Sequence, residues 1–238
     1  MQPKILSLDI ETCPGTAYVW DLYGNDCIPL DRLITPFRVI SWGAKWHGKT
    51  KVYYQDERKG TTRMLRGIHS LLSEADAVVT YNGNKFDLPR LSGGFLENGL
   101  PAMPPLASID LYETIKKVGL MSRKLEFVGP TLKIGAKVKH EGFGLWKAVL
   151  AGDGAAWARM ERYNIQDVRL TDRLYGLLRP YISSHPRLFP KVKGKLICRS
   201  CGGGHVTRRG SYFTRETQWS RVQCQDCGSW DKVRKQSF

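Results

Sequence analysis

The sequence predicts an α/β protein: a mixed sheet with helices on its faces, followed by a small four-cysteine module. Three observations carry this. Short β-branched or leucine-rich runs come first and then alternate with helical stripes, the order of a mixed sheet covered by helices. Four of the six cysteines fall as two Cys-x2-Cys pairs near the end of the chain. The length of 238 residues suits one large domain plus a small module, and 42% hydrophobic residues are too many for a disordered chain.

The elements follow in order. Lys4 to Ile10 (KILSLDI) reads as a buried first strand. Phe37 to Trp46 and Lys51 to Tyr54 read as further strands with a His47-Gly48-Lys49 turn, an antiparallel start. Thr61 to Ser73 has apolar residues at 64, 65, 68, 71 and 72, a helical stripe that Thr61 or Thr62 could cap. Ala77 to Tyr81 is a short buried strand. Lys85 to Asn98 is a helix weakened by Pro89 and Gly93-Gly94, and Leu106 to Leu111 is another strand. From Tyr112 to Gly152 the chain is helical, basic and broken by Gly119, Gly129-Pro130 and Gly135. Its basic residues include Lys116, Lys117, Arg123, Lys124, Lys133, Lys137 and Lys139, which suit phosphate contacts or a solvated helical face. Ala155 to Arg179 is one long helix. Ser183 to Lys195, with two prolines and no stripe, is a linker. The domains are therefore expected at 1–182 and 197–238, joined by 183–196.

Charge narrows the function classes. Lys and Arg number 37 against 22 Asp and Glu, a net +15 and a pI near 9.7. Twelve of those cations, against three carboxylates, lie between Pro186 and Phe238. Such a balance suits a polyanion, most simply nucleic acid. No run approaches the 18 or so apolar residues of a membrane span. The opening MQPKILSLDIET lacks the layout of a secretory signal, so an intracellular, cytoplasmic protein without a membrane partner is expected.

Three sequence elements carry chemistry. Asp9 and Glu11 end the first strand and project to one face, because strand side chains alternate. Two such carboxylates repel, and a divalent cation with a taste for oxygen, Mg²⁺ or Mn²⁺, resolves the conflict as well as a basic partner would. Tyr81-Asn-Gly-Asn-Lys-Phe-Asp87 lies where a strand gives way to a helix, the edge at which open α/β sheets take ligands. Asp87 could equally be a helix cap, and Asn82-Gly83 only a turn. Tyr163 and Asp167 stand at i and i+4 on one face of the long helix. Asp110 reads as a helix cap or loop carboxylate.

An Asp-x-Glu, an Asn-Gly-x-x-Phe-Asp and a Tyr-x-x-x-Asp, in that order, resemble the DEDD superfamily of 3′–5′ exonucleases. The likeness spans residues 4–178 and is greatest to the branch related to the proofreading domains of B-family DNA polymerases. A tyrosine four residues before the last Asp, with Arg162 where another branch has histidine, resembles the tyrosine branch, DEDDy. The resemblance implies an RNase H-like mixed five-stranded sheet flanked by helices. It also implies that Asp9, Glu11, Asp87 and Asp167 hold two Mg²⁺ or Mn²⁺ ions. Two such ions activate a water and steady the leaving 3′ oxygen, releasing nucleoside 5′-monophosphates. Tyr163 would orient that water; a tyrosine pKa near 10 makes it a poor base. Thr12 and Asn82 flank the ligands and could touch the terminal nucleotide, and Phe86 could stack on a base or belong to the core. DNA is favoured over RNA only because the likeness is to polymerases. Two alternatives stay open: an RNase H-like structure-specific endonuclease or resolvase, and a non-catalytic nucleic-acid-binding accessory protein.

Cys13 and Cys27 are isolated and read as reduced thiols. Cys198-x2-Cys201-Gly202 and Cys224-x2-Cys227-Gly228 read as two knuckles of a four-cysteine zinc ribbon holding one structural Zn²⁺. The glycines let backbone N–H groups turn towards the thiolates. Tyr212-Phe213-Thr214 and Trp219 to Val222 supply a hairpin between the pairs. Arg208, Arg209, Arg215, Arg221, Lys232, Arg234 and Lys235, with Tyr212, Phe213, Trp219 and Trp230, suit either single-strand docking or a small aromatic core. A replication or repair protein is the other partner this module could take.

Overall fold

The structure is a computed structural model and describes residues 2–23, 27–190 and 194–234. Lys235 and positions 191–193 of the expected linker lie outside the described residues. The chain runs β1 (Ile5–Cys13), β2 (Thr16–Ala17), β3 (Leu33–Thr35), β4 (Arg38–Trp46), β5 (Val52–Asp56), α1 (Thr61–Glu74), β6 (Ala77–Thr80), α2 (Asp87–Glu97) and β7 (Ala107–Asp110). It continues through α3 (Leu111–Val118), α4 (Leu125–Thr131), α5 (Phe143–Leu150) and α6 (Gly154–Leu178) to β8 (Val206–Phe213), β9 (Gln218–Cys224) and β10 (Trp230–Arg234).

Five strands form the main sheet in the order β5-β4-β1-β6-β7. β1 pairs antiparallel with β4 and parallel with β6, and β6 pairs parallel with β7, so the sheet is mixed. Alternation along β1 divides its side chains between two layers. Leu6, Leu8 and Ile10 pack with Met64, Leu65, Ile68 and Leu72 of α1 and with Leu91 and Phe95 of α2. On the other face, Ile5, Val79 and Ile109 pack with Leu170, Leu174 and Tyr175 of α6. Cys13 and Ile40 meet Leu145 and Val149 of α5 there. Each helix lays its apolar stripe on the sheet, and burial of these stripes holds the layers together.

Several local expectations need correction. Thr61 and Thr62 do not cap α1; its N-cap is Gly60 at φ +103°, with no side-chain capping bond. The helix expected from Lys85 starts at Asp87, which puts Pro89 in the first turn, where its missing N–H costs little. β2 and β3 pair as a two-stranded ribbon between β1 and β4 that carries no alternating pattern strong enough to be read from sequence. β10 adds a third strand to the expected terminal hairpin, giving the order β10-β9-β8. Among the described residues no helix is long and apolar enough to cross a membrane.

Candidate active site and metal centre

Asp9 and Glu11 leave the same face of β1, towards α6. Asp9 lies opposite Gly43 and Glu11 opposite Ser41 of β4. A bulge between Glu11 and Thr12 ends that register, the kind of irregularity that re-aims side chains at a sheet edge. Gly43 is there for space. A Cβ at this position would stand 2.9 Å from Val168 and 3.1 Å from the Asn164 side chain, so glycine lets α6 settle close over β1 and β4.

That close approach delivers three α6 residues to the carboxylates. Asn164 donates from Nδ2 to Asp9 Oδ2 at 2.6 Å. Tyr163 and Asp167 lie on the same side of the helix, both buried, Asp167 at 2% exposure. From the opposite layer, α2 begins at Asp87, whose Oδ1 accepts the Ile10 N–H at 3.1 Å. The helix-cap reading of Asp87 is therefore corrected: Asp87 is the first residue of the helix and bonds to β1. Asp110 does cap α3, accepting from Tyr112 N at 3.0 Å, and it also takes the backbone N–H of Asn82 at 2.8 Å.

The four carboxylates resist ionisation. Burial pushes Asp9 well above the usual range, and the charges of Asp167, Glu11 and Asp87 push it further. Burial, with Asp167 and Asp87, carries Glu11 up to about 8. Burial raises Asp87 to about 7 against the backbone N–H bonds that favour its charge. Asp167 is raised by burial although Lys137 opposes the shift. Among the described residues these four are not gathered into one metal-ready cluster.

Three neighbours were not singled out from the sequence. Lys137, one of many cations in the basic segment, places its ammonium 2.6 Å from Asp167 Oδ2 and 3.0 Å from the Tyr163 hydroxyl oxygen. His140 and Trp146 set their rings edge-on against Tyr163, with centroids 4.8 and 6.3 Å away. Trp146 also donates from its indole N–H to the Thr12 carbonyl at 3.0 Å. Of the expected substrate contacts, Thr12 lies at the bulge and Asn82 takes a left-handed turn at φ +68°. Phe86 is exposed, with Arg90 over its ring at 5.7 Å and over Phe37 at 3.8 Å, so it is no part of the core.

The donor set suits a hard cation. Asp167 Oδ1 is buried with no hydrogen-bond partner, and Asp9 feels the charges of Asp167, Glu11 and Asp87 with Lys137 opposing them.

The cysteines form a second centre. Cys198, Cys201, Cys224 and Cys227 bring their sulfurs within 4.8 Å of one another. The Cys198–Cys227 and Cys201–Cys224 separations are both 3.6 Å, close to the edge of a tetrahedron with metal–sulfur bonds of about 2.3 Å. Gly202 and Gly228 sit at φ +76° and +75° in the two knuckles, a backbone shape that L side chains avoid. The Gly203 N–H points to the Cys201 sulfur at 3.4 Å.

Comparison with known proteins adds three findings. A family model described as the RNase H superfamily matches residues 31–179, a span that begins after β1. No curated protein matches the chain. Among solved structures, the family B DNA polymerase from the hyperthermophilic archaeon Pyrobaculum calidifontis matches over 76% of this chain, at 22% identity and a TM-score of 0.57. The match covers 25% of the polymerase, so this chain spans about a quarter of that protein's length, and the likeness is one of fold.

Proposed function

We propose that this chain, which belongs to the RNase H superfamily, is a metal-dependent 3′–5′ exonuclease of the tyrosine branch, acting on nucleic acid with DNA favoured. Residues 1–182 form the nuclease domain, 183–196 the linker and 197–238 the ribbon. One observation carries the reading. The Tyr163–Asp167 face of α6 meets Asp9 and Glu11 of β1 and Asp87 of α2, and burial, with mutual repulsion added at Asp9 and Glu11, raises the pKa of these carboxylates.

Asp9, Glu11, Asp87 and Asp167 hold two Mg²⁺ or Mn²⁺ ions. When bound, such ions supply an activated water and charge stabilisation for the leaving 3′ oxygen. The protein's own groups do the rest. The Asn164 amide fixes Asp9, and the Ile10 N–H fixes Asp87. Burial raises the Tyr163 hydroxyl's pKa, with help from Asp167 and Glu11 and against Lys137. The hydroxyl therefore keeps its proton and orients a water by donating to it. Lys137 donates to the Tyr163 oxygen, and the Tyr163 hydroxyl is also within hydrogen-bonding reach of Asp167. His140 and Trp146 lock the ring in place. Thr12, Asn82 and Phe86 line the approach of the terminal nucleotide. The four cysteines hold one structural Zn²⁺, which folds a module too small for a core of its own.

The test uses purified protein with Mg²⁺ or Mn²⁺. A 5′-labelled linear single strand should shorten stepwise from its 3′ end, a circular single strand should stay whole, and Asp9→Ala should lose activity without unfolding. Cutting of the circle, or full activity in Asp9→Ala, overturns the proposal. Parallel DNA and RNA strands of equal length decide the sugar.

A further inference from the structure

The strand register of the terminal sheet sorts its aromatic and charged residues in a way that spacing does not reveal. Residues directly opposite one another share a face. Tyr212 lies opposite Trp219, Arg234 opposite Trp219 on the other side, Lys232 opposite Arg221, and Trp230 opposite Gln223. One face therefore carries Tyr212, Trp219, Trp230, Arg221, Lys232 and Arg234. The other carries Ser220, Val222 and Cys224, all buried, with Asp231 and Val233. Tyr212, Trp219 and Trp230 thus share one face, while Phe213 falls on the other and is exposed.

The aromatics and cations interleave. Lys232 stands over Tyr212 at 4.4 Å and over Trp219 at 5.6 Å, Arg221 over Trp230 at 5.6 Å, and Arg234 over Trp219 at 5.9 Å. Like charges directly opposite on a sheet repel, as Arg221 and Lys232 must. No carboxylate answers them among the described residues. Asp231 projects from the other face to Arg187 at 3.1 Å and Arg199 at 3.7 Å. Asp226 is bonded to His205 at 2.7 Å, and Glu216 lies in the turn joining β8 and β9. The face offers three cations without counter-ions and three π-surfaces, two of them, Tyr212 and Trp230, more than 40% exposed.

We propose that this face binds single-stranded nucleic acid, phosphates on Arg221, Lys232 and Arg234 and unpaired bases on Tyr212, Trp219 and Trp230. Aromatic stacking requires bases free of a duplex, and the cations track a backbone. The face is fixed relative to the carboxylates. Ser229 donates to the Arg179 carbonyl at 3.3 Å, Gly228 abuts Pro180, and Arg199 donates to the Ser183 carbonyl at 2.8 Å, which seats the module at the end of α6. Twelve residues of helix, roughly 18 Å, part Arg179 from Asp167. A strand held on the ribbon would feed its 3′ end to the carboxylates across that distance, a role that rests on the nuclease reading.

The binding itself is tested apart from cleavage. Full-length, zinc-loaded Asp9→Ala protein is titrated into a fluorescent 20-nucleotide single strand, without Mg²⁺ or Mn²⁺, over a salt series. Combined Lys232→Glu and Arg234→Glu changes should weaken binding tenfold or more. They should also reduce the slope of log affinity on log salt by about 1.4, from about 0.7 for each phosphate lost. Trp230→Ala should weaken binding by about fivefold or more and leave the slope unchanged. Zinc content and circular dichroism check the fold, and Lys232→Gln with Arg234→Gln replaces the reversal if zinc is lost. With Asp9 intact and Mg²⁺ present, the same ribbon variants should turn over a dinucleotide, too short to reach the ribbon, at an unchanged rate. Unaltered affinity and slope in folded variants overturn the proposal. So does tighter binding of a duplex of the same length, titrated in parallel. Intact binding without cleavage by protein that keeps Asp9, with Mg²⁺ or Mn²⁺ present, would sink the nuclease reading alone.

Discussion

Replacing Glu11 with glutamine should stabilise the resting protein while it destroys activity. The cause is the crowding of buried carboxylates around it. Its proton affinity rises from the usual 4.5 to about 8 through burial and the charges of Asp167 and Asp87, with Lys137 opposing. At about 1.4 kcal/mol for each tenfold in proton affinity, the charged form is disfavoured by about 5 kcal/mol. The folded state holds this proton more tightly than the unfolded state does. Stability is therefore full below pH 4.5 and is lost as pH rises through about 8. Asp9, Asp87 and Asp167 share part of the repulsion, so one substitution should recover a few kcal/mol rather than the whole. The assay is urea unfolding of zinc-loaded protein at pH 5 and pH 9, free of Mg²⁺ and Mn²⁺. Wild type should lose more stability between the two than Glu11→Gln. Saturating Mg²⁺ should then raise the wild-type midpoint more than the variant's, because a ligand stabilises the state that binds it. Parallel pH profiles with no difference in the Mg²⁺ response would refute the idea that these carboxylates are gathered for a cation.

Other consequences are smaller in scope. Lys137→Met should cost about 3 kcal/mol, the low end for breaking a buried ion pair, and should move the acid limb of the pH–rate profile upward because Asp167 loses its cation; unchanged stability and an unmoved limb would argue against that pairing. Stripping zinc, or Cys201→Ser, should remove amide-exchange protection across 197–234 and leave that of the five-stranded sheet, with one zinc per chain counted beforehand by atomic absorption. His185, buried and bonded to the Tyr175 hydroxyl at 2.9 Å, has its pKa lowered to about 4, chiefly by burial. The unfolded state then takes up its proton first, so stability should fall by about 3 kcal/mol as pH drops from 6.5 to 4. His185→Gln should flatten that part of the urea-midpoint profile.

Much of the site was legible because its parts are local. Asp9 and Glu11 needed only strand alternation to share a face, and Tyr163 and Asp167 only the helical repeat. The knuckle cysteines needed only their spacing and the glycines that follow them. Lys137 was not legible as a special residue, since nothing in its neighbourhood separates it from Lys133 or Lys139; only its reach to Asp167 and Tyr163 does. Asn164 sits inside the recognised Tyr-x-x-x-Asp element, yet its bond to Asp9 spans 155 positions. At Asp87 the local segment by itself left two uses open, because a carboxylate at a helix start also has an ordinary capping use.

Sequence alone determined the main strands and helices of the large sheet and which side chains share one strand or helix face, since those follow from periods of two and 3.6 residues, but not the β2–β3 ribbon or β10. Tertiary structure decided how α6 lies on β1 through the gap at Gly43, which lysine enters the carboxylates, and which face of the terminal sheet gathers its tryptophans and cations. Those outcomes depend on register and on contacts between residues far apart in the chain. A spacing along one segment carries no information about what another segment places beside it.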